Sequence, residues 1–160
     1  LDLPPEALAH PSPFDPAAAP PLDEPNRAAE DIIGWPSFDS RAIVFDRFKV
    51  PGDDRIHQWI RVLTTVIEGS ELTGTETAAV AADYAQSAVF RHLPMTTWSY
   101  RNAELTVHLA REPVGPWIGM RSEALVQPVG AGWNAADLFD AQGRVGRSAA
   151  TLVVERRTPA

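Results

Sequence analysis

Thr73-Gly74-Thr75-Glu76-Thr77-Ala78-Ala79-Val80-Ala81-Ala82-Asp83-Tyr84-Ala85-Gln86-Ser87-Ala88 is the stretch whose reading decides the fold. Thr73 and Glu76 stand at capping-box spacing, where hydroxyl and carboxylate each bond a free backbone amide, so a helix is expected over residues 75–90. Pro94 follows soon after, by which point a helix must have ended. Six of the eleven residues from Ala78 to Ala88 are alanine, and they fall on every side of the helical wheel. A surface helix would carry one apolar stripe and a charged face. A helix small and apolar nearly all round suits enclosure by a strongly curved sheet, with Ala78, Ala82 and Ala85 against it.

The flanks supply the sheet. Arg41–Phe48 and Ile56–Ile67 are rich in β-branched and aromatic residues and are separated by Pro51-Gly52-Asp53-Asp54, which reads as strand, turn, strand. Beyond the helix, Thr97–Ala110, Trp117–Pro128, Trp133–Ala141 and Val145–Arg156 are strand candidates. Asp140-Ala141-Gln142-Gly143-Arg144 forms the hairpin turn between the last two. Two strands, one enclosed helix and four strands make an α+β chain with an antiparallel sheet.

The N-terminal region differs. Nine of the 15 prolines and seven alanines fall within residues 1–36. Proline fixes φ and removes a backbone donor, so this segment is expected to be an extended linker, with Trp35 and Phe38 pinning its end to a domain over residues 37–160. The chain starts at Leu1 and not at Met, so a fragment or a processed product is expected.

Composition narrows the chemistry. A net charge of −7 argues against nucleic acid and anionic membrane as partners. Without cysteine there is no disulfide, thiolate metal site or cysteine nucleophile; this fits a cytoplasmic protein. His10, His57, His92 and His108 lack metal-ligand spacing, so no metal or other cofactor is expected. No G-x-S-x-G elbow marks a serine hydrolase. Trp35, Trp59, Trp98, Trp117 and Trp133 read as core and interface anchors.

Asp83 stands out because a carboxylate in an alanine-rich, enclosed helix costs free energy unless it is paired or shifts its pKa. It reads either as a functional group or as a residue facing solvent or a subunit seam. Asn102 reads equally as a strand-edge residue bonded to backbone, and Thr151 as an ordinary strand threonine.

Longer motifs sharpen the reading. They are Ala81-Ala82-Asp83-Tyr84, Asn102-Ala103-Glu104-Leu105-Thr106-Val107-His108-Leu109, Arg111-Glu112-Pro113-Val114-Gly115-Pro116-Trp117, Leu138–Ser148 and Leu152-Val153-Val154, in this order along the chain. In these the chain resembles the C-terminal half of acyl-CoA thioesterase II and its actinobacterial thioesterase-like relatives. The resemblance implies a hotdog fold, an antiparallel sheet wrapped around a central helix, normally one of two hotdogs in a polypeptide. It implies a second hotdog as partner, either another copy of this chain or a separate N-terminal half, and an acyl-CoA or acyl-carrier thioester as substrate. It places the family's catalytic trio on Asp83, Asn102 and Thr151. The last two depart from the best-known pattern of threonine and glutamine. The chemistry implied is hydrolysis by water, with Asp83 as base, Asn102 and Thr151 orienting the water, and a backbone N–H near the helix start polarising the carbonyl. The alternative is a non-catalytic hotdog that binds acyl thioesters or completes a partner.

Overall fold

The computed structural model describes residues 43–48 and 51–157, except 64, 66 and 92. The Pro-rich segment 1–36, with Trp35 and Phe38, and His92 lie outside them.

Among the described residues, seven strands form one antiparallel sheet. They are β1 (Ile43–Phe48), β2 (Ile56–Val62), β3 (Trp98–Asn102), β4 (Thr106–Leu109), β5 (Ile118–Val126), β6 (Ala131–Asp140) and β7 (Gly143–Arg156). Their order is β1-β2-β5-β6-β7-β3, with β4 also paired to β7. The sheet curls into a half-barrel around one helix, α1 (Gly74–Asp83), as the hotdog reading required.

The capping box forms as its spacing demands. Thr73 Oγ1 accepts from the Glu76 amide at 3.1 Å, and the Thr73 amide donates to Glu76 Oε2 at 2.8 Å. Gly74 has no room for a side chain, since a Cβ there would lie 2.2 Å from the Pro113 carbonyl oxygen. The α-helix is shorter than expected. It stops at Asp83, and Tyr84–Arg91 continues as a 3-10 helix.

Ala78, Ala81, Ala82 and Ala85 are buried, and Ala78, Ala81 and Ala85 share a core with Ile60, Ile118, Met120 and Leu138. Alanine's short side chain lets helix and sheet approach closely. The enclosure is one-sided, however. Thr75, Ala79 and Asp83, spaced one turn apart, are exposed along the helix. A single curled sheet covers one side of its helix and leaves this stripe open.

The strand expected over Thr97–Ala110 is two strands with a bulge between them. Asn102 pairs with Leu152 and Thr106 with Ala149, so 103–105 oppose only 150 and 151. Glu104 stabilises this irregularity by accepting both the amide and the hydroxyl of Thr151, at 2.8 and 3.1 Å. The extra residue reverses the side-chain alternation, so Asn102 on β3 and Val107 on β4 both face the helix. At the β6–β7 turn Gly143 takes φ +114°, a conformation that favours glycine. Of the tryptophans, Trp59 and Trp117 are buried, whereas Trp133 is 42% exposed on the outer face and anchors no core.

Candidate active site

Asp83 ends α1, and Asn102 ends β3 at the free edge of the sheet. The curl brings the two together, and Asn102 Nδ2 donates to Asp83 Oδ1 at 2.6 Å. An ionised carboxylate only accepts, so Asn102 must present its nitrogen, leaving its oxygen to face the other way. Into that oxygen points Asn134 Nδ2, at 3.4 Å, from the buried face of β6. Asp83 itself is exposed, and its Oδ2 has no hydrogen-bond partner among the described residues.

Thr151 does not join them. Its neighbours Ala150 and Leu152 are buried, while Thr151 is exposed on the opposite face, where it pairs with Trp133 and bonds Glu104. In a strand, one residue's displacement changes the face. The inward position beside Asn134 in the register belongs to Ala150. The helix start is likewise remote from Asp83, because ten helical residues span about 15 Å. Its donors are also engaged: the Thr75 amide bonds Glu112 Oε1 at 2.8 Å, and the Thr75 hydroxyl bonds Glu112 Oε2.

An apolar cavity of about 450 Å³ lies beside the 3-10 segment, lined among others by Val89, Leu93, Trp98, Val126 and Val154. Trp98, Tyr100 and Asn102 share the helix-facing side of β3. Four residues of strand therefore carry the cavity's Trp98 about 13 Å from Asn102.

Asn134 carries one sequence signal, since asparagine is depleted in strands and it stands between Trp133 and Ala135 in β6. Asp140 opens the β6–β7 turn motif in the sequence. It is fully buried and accepts from both terminal nitrogens of Arg111 and from the Val114 and Gln142 amides, each at 2.8 Å. Burial pushes its carboxyl up, but Arg111 and the two amides outweigh it and hold the pKa below the ordinary value. That makes Asp140 an anchor for the 111–114 loop. His57 is buried on β2, and burial pushes its pKa down against the pull of Asp53, 3.3 Å away.

Among the described residues there is no group of three metal-ligating side chains, and no helix is long and apolar enough to cross a membrane.

A curled antiparallel sheet around one short helix defines the class, a hotdog domain. A model of the acyl-CoA thioesterase C-terminal domain matches residues 5–154, and the chain belongs to that family. Solved structures agree on the fold. Acyl-CoA thioesterase II from Mycobacterium marinum is similar at 17% identity and TM-score 0.55, over 91% of this chain and 56% of that one. A mutant thioesterase from Pseudomonas aeruginosa is similar at 14% identity and TM-score 0.54, over 73% and 84%. A thioesterase from Haemophilus influenzae is similar at 17% identity and TM-score 0.53, over 72% and 80%. This chain thus spans about half the length of the M. marinum enzyme. No curated protein matches it.

Proposed function

We propose that the chain hydrolyses an acyl thioester with water, and that Asp83 is the base. The observation that carries this reading is the Asp83–Asn102 pair at the free sheet edge. Asn102 fixes one carboxylate oxygen at 2.6 Å and leaves the other open to a water. A carboxylate held this way can take a proton from water as that water attacks the thioester carbon, the thiol leaving as the tetrahedral intermediate collapses. The substrate is a fatty-acyl group on CoA or on a carrier protein, with the cavity beside Trp98 receiving the acyl chain.

Edge strands β3 and β4 and the exposed Thr75–Ala79–Asp83 stripe are the natural seat of another hotdog domain, since open edges are normally paired or covered. That partner is a second copy of this chain or a separate N-terminal half. It supplies the donor for the developing oxyanion, because the amides at the start of α1 are already bonded. Residues 37–160 form the hotdog unit and 1–36 the connector. The setting is cytoplasmic.

The outward position of Thr151 favours one alternative, a non-catalytic hotdog that binds the thioester or completes a partner. Here Thr151 holds the bulge in place of orienting water. Released-thiol assays on acyl-CoAs of graded length, with the full protein and its partner domain present, separate the two. Hydrolysis that depends on Asp83 supports the first; thioester binding without turnover establishes the second.

A further inference from the structure

We infer that Asn134 is a positioning residue, which directs the Asn102 amide onto Asp83 from inside the sheet. This rests on the reading of Asp83 as the base. Asn134 lies in the middle of β6, 1% exposed, on the face turned toward the helix. A buried amide costs free energy unless it is bonded. Yet Asn134 makes one side-chain hydrogen bond among the described residues, to Asn102 Oδ1, and its own Oδ1 is buried without a partner. Nothing else in the sheet uses this side chain. An apolar residue of the same shape would serve the packing better.

The geometry gives it a different use. Asn102 can offer Asp83 either its nitrogen or its oxygen, and only the nitrogen attracts a carboxylate. Alone at a sheet edge, Asn102 could rotate about its terminal torsion. Donation from Asn134 to the oxygen adds a second bond to the state that turns the nitrogen toward Asp83, so that orientation is favoured. The chain Asn134→Asn102→Asp83 runs from the sheet interior to its edge, every donor facing an acceptor. Ser122 and Ser148 flank Ala136 in the register, one strand to each side, and Ala136 is the next residue of β6 on the same face as Asn134. Both hydroxyls are buried and unpaired.

The test uses the full protein with Asn134→Leu, Asn102→Ala and the double variant. Asn134→Leu is expected to lower kcat about tenfold with KM unchanged and thermal stability equal or higher. In the Asn102→Ala background the same replacement should change kcat less than twofold. Equal losses in both backgrounds, or a loss of activity that tracks a fall in Tm, would overturn the proposal. A second readout does not need activity. Hydrogen exchange of the Asn102 side-chain amide, followed by NMR without substrate, should quicken at least about tenfold in Asn134→Leu. Unchanged exchange would overturn the positioning role. Absence of hydrolysis in the wild type together with quickened exchange would reject the thioesterase reading and leave the Asn134–Asn102 link standing.

Discussion

Two carboxylates mark the two kinds of place in this domain. At the hairpin end, Asp140 is sealed from solvent and accepts four hydrogen bonds, from Arg111, Val114 and Gln142. At the sheet edge, Asp83 is exposed and accepts one. The first spends all its acceptor capacity on the fold, which is what an anchor does. The second leaves an oxygen unused beside a free strand edge, which is what a group waiting for something else does. Removing charge from each should therefore damage different properties. Asp83→Asn is expected to lower turnover by roughly 10²–10⁴-fold, the usual span of a general-base contribution, with Tm nearly unchanged. Asp140→Asn is expected to destabilise by roughly 2–4 kcal/mol, read from urea midpoints, with kcat per folded molecule retained. If Asp83→Asn keeps near-wild-type hydrolysis, or if it unfolds the chain as Asp140→Asn does, the contrast collapses.

What could be seen of this contrast in the sequence follows from the range of the interactions. The capping box was legible because Thr73 and Glu76 are three residues apart and need no tertiary contact. The strand and helix order was legible from patterning, and its particular architecture from the motif resemblance. The α-to-3-10 change after Asp83 was not, because it answers to packing under the sheet. Nor was the bulge at 103–105, which depends on Glu104 reaching Thr151, 47 residues away in sequence. Motif position selected Thr151, but the face a strand residue occupies is set by register, and the register turned Thr151 outward. Asp83 stood out by its alanine-rich helix as well as by the resemblance, and Asn102 through the resemblance; their hydrogen bond belongs to the curl of the sheet. Asn134 carried a signal, an asparagine inside a strand, that becomes specific only once its neighbour across the sheet is known.

The helix separates the two regions, and its packing offers a smaller test. Ala82 is 1% exposed, whereas Ala79, on the stripe that runs to Asp83, is exposed. Ala82→Leu forces three extra carbons into a close-packed seam and is expected to cost roughly 1–3 kcal/mol in thermal or urea melts. Ala79→Leu should leave the stability of the isolated chain nearly unchanged. In the assembled protein it should weaken association with the second hotdog, measurable by sedimentation. Equal stability losses at 79 and 82 would mean that the helix is enclosed all round and that no open stripe exists.

The smallest effect is expected from acid. Asp140 has a folded-state pKa below its ordinary value, with burial opposing and Arg111 and two amides prevailing. A depressed carboxylate contributes stability that is present in full above the unfolded pKa, near 3.8, and is lost as pH falls through the folded value. Asp53 adds to the same window. The Arg55 side chain holds its pKa down at about 2. Arg55 is 37% exposed, so solvent screening keeps this contribution to about 1 kcal/mol or less. Stability should thus be flat from these two groups above about pH 5 and decline below about pH 4. Urea midpoints taken at pH 7, 5, 4 and 3 would trace the decline. Asp140→Asn, already less stable at pH 7, should lose less on acidification, because the group whose protonation drives the loss is gone. If the variant and the wild type fall in parallel, the acid sensitivity lies elsewhere in the chain, and the hairpin end is not the electrostatic anchor contrasted here with the open edge.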